Sequence, residues 1–303
     1  MYPLYPKHLK PVEVLARDSG DVTTTTIEAS IADLVTTRAD VLVGPSSSVL
    51  AERVFPKIVA AKLPMISPAA TPVRLASTAS KGYLFRTIGS AALEGDALAQ
   101  TIGAEKARMA IVHFDDDMGR AVLSTIRAAL TAPGGLVEVQ TMTAATTDPA
   151  PIVAAVKAAT PDDVVFVCPF SAMDKNTGMI TQLTAAGLDG AKLWLTGQNT
   201  ADYSQALPVG TMTNVRGLLE GAQPTVALAA QPRSCAGCRS GGIECTTYRE
   251  CLDVLKTSSD IDDDAVSRSI TFGTNGDTNP AHFGLYRYDA AGRVARVGDI
   301  IAG

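Results

Sequence analysis

The sequence predicts an α/β protein built on parallel sheets and divided into two domains. Three observations carry that expectation. Short apolar runs alternate with helix-length segments along most of the chain, and strands separated by helices in this way pair in parallel. The chain has 303 residues, which is room for two domains that each bury a respectable core. A hydrophobic content of 46% against 19% charged residues is ordinary for a globular protein.

Val12–Ala16 is the first apolar run and reads as a strand. Asp40-Val41-Leu42-Val43-Gly44 holds the next, over Val41–Val43, and breaks into Pro45-Ser46-Ser47-Ser48 before a helical run from Val49 to Ala61. Leu63-Pro64-Met65-Ile66 supplies a strand at Met65–Ile66 and breaks into Ser67-Pro68-Ala69-Ala70-Thr71. Gly82–Thr87 opens no helix and reads as an extended edge or linking segment. A helix over Ala92–Ile102 leads into strand Met109–Phe114, helix Arg120–Leu130, strand Leu136–Thr141, helix Pro149–Ala159 and strand Val164–Cys168. Met173–Ala186 is the next helix, with Met173, Ile180, Leu183 and Leu188 near helical spacing as a core stripe and Gly187 as its C-cap. Strands Leu193–Leu195 and Val215–Leu218 follow. After Pro224 the composition changes, and from Ala227 to Ser269 the chain is rich in Cys, Ser, Thr and Asp, with Asp262-Asp263-Asp264 as a helix start or solvated turn. Phe283–Tyr288 and Arg293–Val297 alternate around Asp289-Ala290-Ala291-Gly292, which reads as a β-hairpin.

The turns after Val43 and Ile66 are the most informative feature. Two neighbouring strand ends there present free backbone N–H groups and small hydroxyls at the carboxyl edge of one sheet, where open α/β sheets take ligands. Helix starts with Ser and Thr favour an anionic group such as a carboxylate. A net charge of −5 gives no electrostatic case for nucleic acid or an anionic membrane. No apolar run approaches the roughly 20 residues that span a bilayer. Enzyme signatures are missing. Gly44–Ser48 lacks both the phosphate-loop Lys and the dinucleotide glycine spacing. No G-x-S-x-G elbow surrounds Ser46–Ser48. His8, His113 and His282 lie far apart with no paired metal-ligand spacing, and His113 reads as a hydrogen-bonded core histidine. No catalysis, cofactor or metal is expected from these residues.

Cys168 stands alone in an apolar run and reads as a buried free thiol. Cys235, Cys238, Cys245 and Cys251 crowd together, and they suit two disulfides, one four-thiolate zinc site or free thiols, with disulfides favoured.

A family pattern emerges from particular stretches taken in order. They are Val14-Leu15-Ala16-Arg17-Asp18-Ser19-Gly20, Val43-Gly44-Pro45-Ser46-Ser47-Ser48, Pro64-Met65-Ile66-Ser67-Pro68-Ala69-Ala70-Thr71 and Leu84-Phe85-Arg86-Thr87. Ala110-Ile111-Val112-His113-Phe114-Asp115-Asp116-Asp117-Met118-Gly119 and the hairpin behind Asn275-Gly276-Asp277 complete the series. The chain resembles the type I periplasmic binding proteins, specifically the branched-chain amino acid and amide receptors of ABC importers. That resemblance implies two doubly wound parallel-sheet lobes closing on a ligand in their cleft, with the C-terminal β-hairpin. It implies lobe one over 1–106, lobe two over 107–225, a Cys-rich insert replacing the lobe-one return over 226–270, and a hairpin segment over 271–303. The family's first strand and helix precede the segment matching Val12–Ala16, and this sequence does not contain them. Val12–Ala16 is thus expected to pair elsewhere or to stay loosely ordered.

By the same resemblance, Ser47, Ser48, Ala69, Ala70 and Thr71 hold the ligand's carboxylate. Met118 and Phe170 fall where the family packs aromatic residues on the ligand, and Gln198 and Asn199 fall where it meets the ammonium with an acid. An amide removes that charge-assisted bond, so amino acids, amides, short carboxylates and aromatic acids all stay open as ligands. Asp115, Asp116 and Asp117 are an alternative source of negative charge, or simply a solvated turn. The implied protein is periplasmic or extracellular, in a form compatible with a lipoprotein and with no signal in this chain. It would deliver a small molecule to an ABC permease. Two other readings stay open: a ligand-sensing domain of a membrane receptor, and a relative that no longer binds.

Overall fold

A computed structural model describes residues 13–77, 82–104, 107–130, 135–169, 172–187, 192–221, 272–273 and 276–303. The chain divides into two compact units: unit one runs to Ser90 and includes the later segment that ends at Pro280, and unit two comprises Ala91–Gly221 with Ala281–Gly303. Within the expected ranges, Ala91 therefore opens unit two ahead of residue 107, and the hairpin segment joins unit two from Ala281. The expected Cys-rich insert, with Cys235, Cys238, Cys245, Cys251 and Asp262–Asp264, lies outside the described residues.

Unit one contains α1 (Thr26–Thr36), β1 (Leu42–Val43), α2 (Ser48–Ala61), β2 (Met65–Ser67), α3 (Val73–Ser77) and β3 (Leu84–Arg86). The strands form a parallel sheet in the order β1-β2-β3, with Leu42 opposite Met65 and Met65 opposite Leu84. Ile27 and Ile31 of α1 join Leu50, Val54 and Ile58 of α2 over Met65 and Leu84 in one core. The sequence expectation lacks α1, although Ile27, Ile31 and Leu34 recur at helical spacing and are all buried. The β-branched run Thr23–Thr26 obscures its start. One expectation needs correction. Val12–Ala16 does not form a strand: Val12 is outside the described residues, 13–16 pair with nothing in a ladder, and Val14 is 80% exposed. Without a neighbouring strand its backbone groups turn to water, so an extended conformation gains nothing. The next residues instead follow α1, where Arg17 donates to Asp33 at 2.6 Å and Ser30 Oγ donates to the Asp18 carbonyl.

Unit two runs α4 (Ala91–Ala104), β4 (Met109–Phe114), α5 (Asp117–Ala129), β5 (Leu136–Met142), α6 (Ala150–Ala158), β6 (Asp163–Val167), α7 (Met173–Ala185), β7 (Lys192–Leu195), β8 (Val215–Glu220), β9 (Ala281–Tyr288) and β10 (Val294–Ala302). Its sheet has the order β10-β9-β8-β7-β6-β4-β5. The strands from β5 across to β8 are parallel, whereas β9 pairs antiparallel with both β8 and β10. Alternation along β4 shows why both faces are covered. Ala110 and Val112 pack with Val153 and Val156 of α6 and Ile180 and Leu183 of α7. Met109 and Ile111 pack with Leu98 and Ile102 of α4 and Val122 and Ile126 of α5. The α/β architecture and the hairpin are therefore those the sequence predicts, with a mixed edge where the hairpin joins.

Two local details follow from single residues. Helix α5 starts ahead of the expected Arg120 because Asp116 caps it, accepting the Gly119 N–H at 2.7 Å. Only glycine fits at 119, since a Cβ there would collide with the Phe114 carbonyl oxygen. His113 is a satisfied core histidine, with Nδ1 3.0 Å from the Phe114 carbonyl and Nε2 3.0 Å from Thr141 Oγ1. Cys168 is a buried free thiol whose pKa burial pushes up to about 12. Among the described residues, no helix is long and apolar enough to cross a membrane.

Candidate functional site

Because β1 and β2 are parallel neighbours, the turns that follow them leave the same edge of the unit-one sheet. Their hydroxyls do different work. Ser47 caps α2: its Oγ accepts the Leu50 N–H at 3.4 Å, and its carbonyl accepts the Ala51 N–H at 2.9 Å. Helix geometry leaves the N–H groups of Ser48 and Val49 without an acceptor inside α2, and both residues are at least partly exposed. Ser67, absent from the predicted site, is buried and ties the turns together. It accepts the Ala70 N–H at 3.0 Å and reaches the Pro45 carbonyl at 3.5 Å. Ala69 is partly exposed, while Ala70 and Thr71 are buried.

The residue that sets the second turn is Arg86, at the end of β3. It is fully buried, and its Nη1 donates to the carbonyls of Ala70 at 3.1 Å and Pro72 at 2.9 Å. Its Nε donates to Asp277 Oδ1 at 2.6 Å, and Nη2 closes on the same carboxylate as an ion pair without hydrogen-bond geometry. Asp277 is brought in by Gly276, whose carbonyl accepts the Arg86 N–H at 2.9 Å. Gly276 has a φ of +81°, and a Cβ there would collide with the Leu84 carbonyl oxygen. Arg86 stands in a stretch that the sequence analysis quotes, but a buried cation spanning 191 positions to Asp277 leaves no mark in local spacing.

In unit two the predicted residues separate. Met118 is 5% exposed and packs in the core with Val122 and Ile126. Phe170 lies outside the described residues. The acidic run is spoken for: Asp115 and Asp117 each accept from Arg120, at 2.6 and 2.8 Å, while Asp116 caps α5. Burial raises the pKa of Asp116, against the opposing pull of the Gly119 N–H. Asn199 is fully buried, and its amide is committed on every side. Its Oδ1 accepts from Thr196 N at 2.7 Å and Thr196 Oγ1 at 2.9 Å. Its Nδ2 donates to the Phe166 carbonyl at 3.0 Å and to Asn176 Oδ1 at 3.3 Å. An asparagine amide has two N–H groups and two lone pairs, so this network uses all of them. Gln198, beside it in the Gly197–Asn199 turn, is partly exposed.

Among the described residues, cavities in unit two include a pair that contain no predicted residue. One of about 290 Å³ is lined by Val164, Thr184, Leu193, Asn214 and Val215, toward the amino ends of β6, β7 and β8. The other, of about 320 Å³, lies between Met142, Thr146, Asp174 and Lys175, where Lys175 donates to the Thr146 carbonyl at 2.7 Å.

A family model described as periplasmic binding protein matches residues 9–229. The chain belongs to the type I periplasmic binding proteins. Solved members of this group share its fold. A branched-chain amino acid ABC transporter periplasmic ligand-binding protein from Burkholderia xenovorans LB400 aligns with a TM-score of 0.73 at 18% identity, over 92% of this chain and 82% of its own. The branched-chain amino acid transporter substrate-binding protein of Streptococcus pneumoniae, solved with isoleucine, gives 0.69 at 17% identity, over 93% and 86%. A solute-binding protein of an R. palustris ABC transporter, solved with benzoate, gives 0.68 at 17% identity, over 91% and 81%. No curated protein in the comparison matches the sequence. The small-hydroxyl turns of this type I periplasmic binding protein leave the carboxyl edge of a parallel sheet, the edge at which open α/β sheets in general take ligands.

Proposed function

We propose that this periplasmic binding protein is the extracytoplasmic solute receptor of an ABC importer and captures a small molecule bearing a carboxylate. The observation that carries the reading is the pair of tied turns in unit one. The amides of Ser48 and Val49 open α2 at one strand end, and Ala69-Ala70-Thr71, held by Ser67 and Arg86, closes the next. Free N–H groups at a helix start and a small hydroxyl form an acceptor-poor, donor-rich patch suited to an anion. No catalytic role is assigned. Asn199 is left out of the proposed solute contacts, because its amide is consumed by the scaffold.

The ligand class proposed is a small carboxylic acid of amino-acid, short-chain or aromatic type. Isoleucine and benzoate, each bound by a solved relative, support testing both the amino-acid and the aromatic kind. A thermal-shift panel of isoleucine, other aliphatic amino acids, benzoate, 4-hydroxybenzoate and short fatty acids tests it. A ligand that binds only the folded state stabilises it by RT ln(1 + [L]/Kd), about 2.7 kcal/mol at one hundred times Kd. At least one acid should raise the melting temperature in proportion to the logarithm of its concentration. A panel with no shift counts against the proposal.

A further inference from the structure

Unit two holds a pair of acids that the solute site does not use. Glu94, in the first turn of α4, is 1% exposed. Its Oε1 accepts the backbone N–H of Gly197, and its Oε2 has no hydrogen-bond partner. Glu220, the last residue of β8, brings its carboxyl against the same glycine, where a Cβ would run into both of its oxygens. One residue thus carries a carboxyl on its N–H and a second against its α-carbon. Two carboxyls confined like this repel each other and have lost much of their hydration, so they resist being ionised together.

Among the described residues, the printed ion pairs bring no cation to either carboxyl. Among the described residues, α4 packs against α5, β9 and β10. On α5, Arg120 is held by Asp115 and Asp117, Asp116 is at the cap, and Arg127 lies in the exposed last turn. On β9, Arg287 stands opposite Arg216 of β8, and His282, opposite Ile301, gives its carbonyl to the Gly221 N–H. On β10, Arg296 is paired with Asp299 and donates to the Gly221 carbonyl at 3.1 Å. Beside β8 on β7, Lys192 sits at the opposite, amino end of its strand. Burial first, and the Glu220 charge second, push the pKa of Glu94 well above the ordinary 4.5, with the Gly197 N–H opposing. Burial also raises that of Glu220.

We propose that Glu94 and Glu220 hold one proton between them at neutral pH, and that this proton removes their mutual repulsion and so lets both carboxyls stay against Gly197 in the turn that carries Gln198. The unpartnered Oε2 of Glu94 is the oxygen that holds it. The inference stands on unit two alone and does not depend on the solute. Its sign follows from proton counting. Below the ordinary value of 4.5 the folded and unfolded chains both keep their protons. Above it the unfolded chain has released them while the folded pair retains one. Stability contributed by the pair therefore falls as pH rises toward the raised folded value, by up to about tenfold in the folding equilibrium per pH unit.

The test is urea unfolding of the full chain at a series of pH values from about 5 to 9, for the wild type, Glu94→Gln and Glu220→Gln. Glutamine at 94 keeps the acceptor for Gly197 and replaces the proton by a fixed N–H. Relative to the wild type, Glu94→Gln should gain up to about tenfold in folding equilibrium per pH unit across this window. Glu220→Gln should gain in the same direction. Profiles parallel to the wild type overturn the proposal. Where one variant does not fold, the other decides by the same criterion. Infrared spectroscopy of the wild type in heavy water gives a reading that needs no variant: a protonated carboxyl band at neutral pH supports the shared proton, and its absence overturns it.

Discussion

Methionine in place of Arg86 would strip the Ala69–Thr71 turn of its support. The guanidinium makes hydrogen bonds of 2.6 Å to Asp277, 3.1 Å to the Ala70 carbonyl and 2.9 Å to the Pro72 carbonyl, all inside unit one. Arg86 is fully buried, and the Asp277 side chain is 15% exposed. Removing one partner of a buried ion pair leaves an uncompensated charge, which costs about 3–5 kcal/mol. Against a total stability of about 5–15 kcal/mol, that is a large share. Hydrogen exchange provides the local assay, because the Met65 N–H, bonded to the Tyr83 carbonyl at 2.7 Å, reports the β2–β3 ladder that Arg86 terminates. At about 1.4 kcal/mol per factor of ten, its protection should fall by roughly two to three and a half orders of magnitude. The Arg86→Met/Asp277→Asn double variant should lose less than the sum of the two single variants, since a neutral amide at position 277 strands no charge. A single Arg86→Met variant within about 1 kcal/mol of the wild type, or strictly additive losses, would refute this account of the turn.

Three further outcomes are expected. Ser48→Ala and Thr71→Ala should each weaken binding of the best acid by about 1–2 kcal/mol, or roughly 5–30-fold in calorimetry, and unchanged affinity in both removes them from the site. Asn199→Asp should lower stability by about 1–3 kcal/mol in urea, because it sets a carboxylate oxygen against the Phe166 carbonyl and Asn176 Oδ1 in place of a donor; a neutral effect would mean that the Asn199 network carries no energy. Cys168, with its thiol pushed up to about 12 by burial, should resist alkylation in the folded protein at mildly alkaline pH, while Cys235, Cys238, Cys245 and Cys251 become reactive only after reduction; rapid native labelling of Cys168, or four thiols free without reductant, contradicts these readings in turn.

The strands from β4 to β8 and the helices between them were legible because each apolar run is long enough to show its period and is bounded by a turn. The turns at Ser46–Ser48 and Ser67–Thr71 were legible because capping chemistry is local. What could not be read was everything that depends on distant partners. Ser47 and Ser67 look equivalent in sequence to Ser48 and Thr71, yet one is spent on a cap and the other on tying two turns together. Asn199 reads as a ligand-facing amide, but Phe166 and Asn176 claim its donors from β6 and α7. Val12–Ala16 is apolar and β-prone, but a strand exists only through its neighbour, and residues 13–16 have none. The Arg86–Asp277 ion pair, and the two carboxyls of Glu94 and Glu220 set against Gly197, are brought together across long stretches of chain. Composition and periodicity carry no trace of such pairs.

The central claim is that the tied turns of unit one recognise a carboxylate. Its most direct test is calorimetric titration of the acid that gives the largest thermal shift, side by side with its own primary amide, for example benzoate with benzamide or isoleucine with isoleucinamide. A hydrogen bond to a charged acceptor is worth about 1.5–3 kcal/mol, so the acid should bind roughly 10–150-fold more tightly than the amide. Equal affinity for the two would contradict the claim.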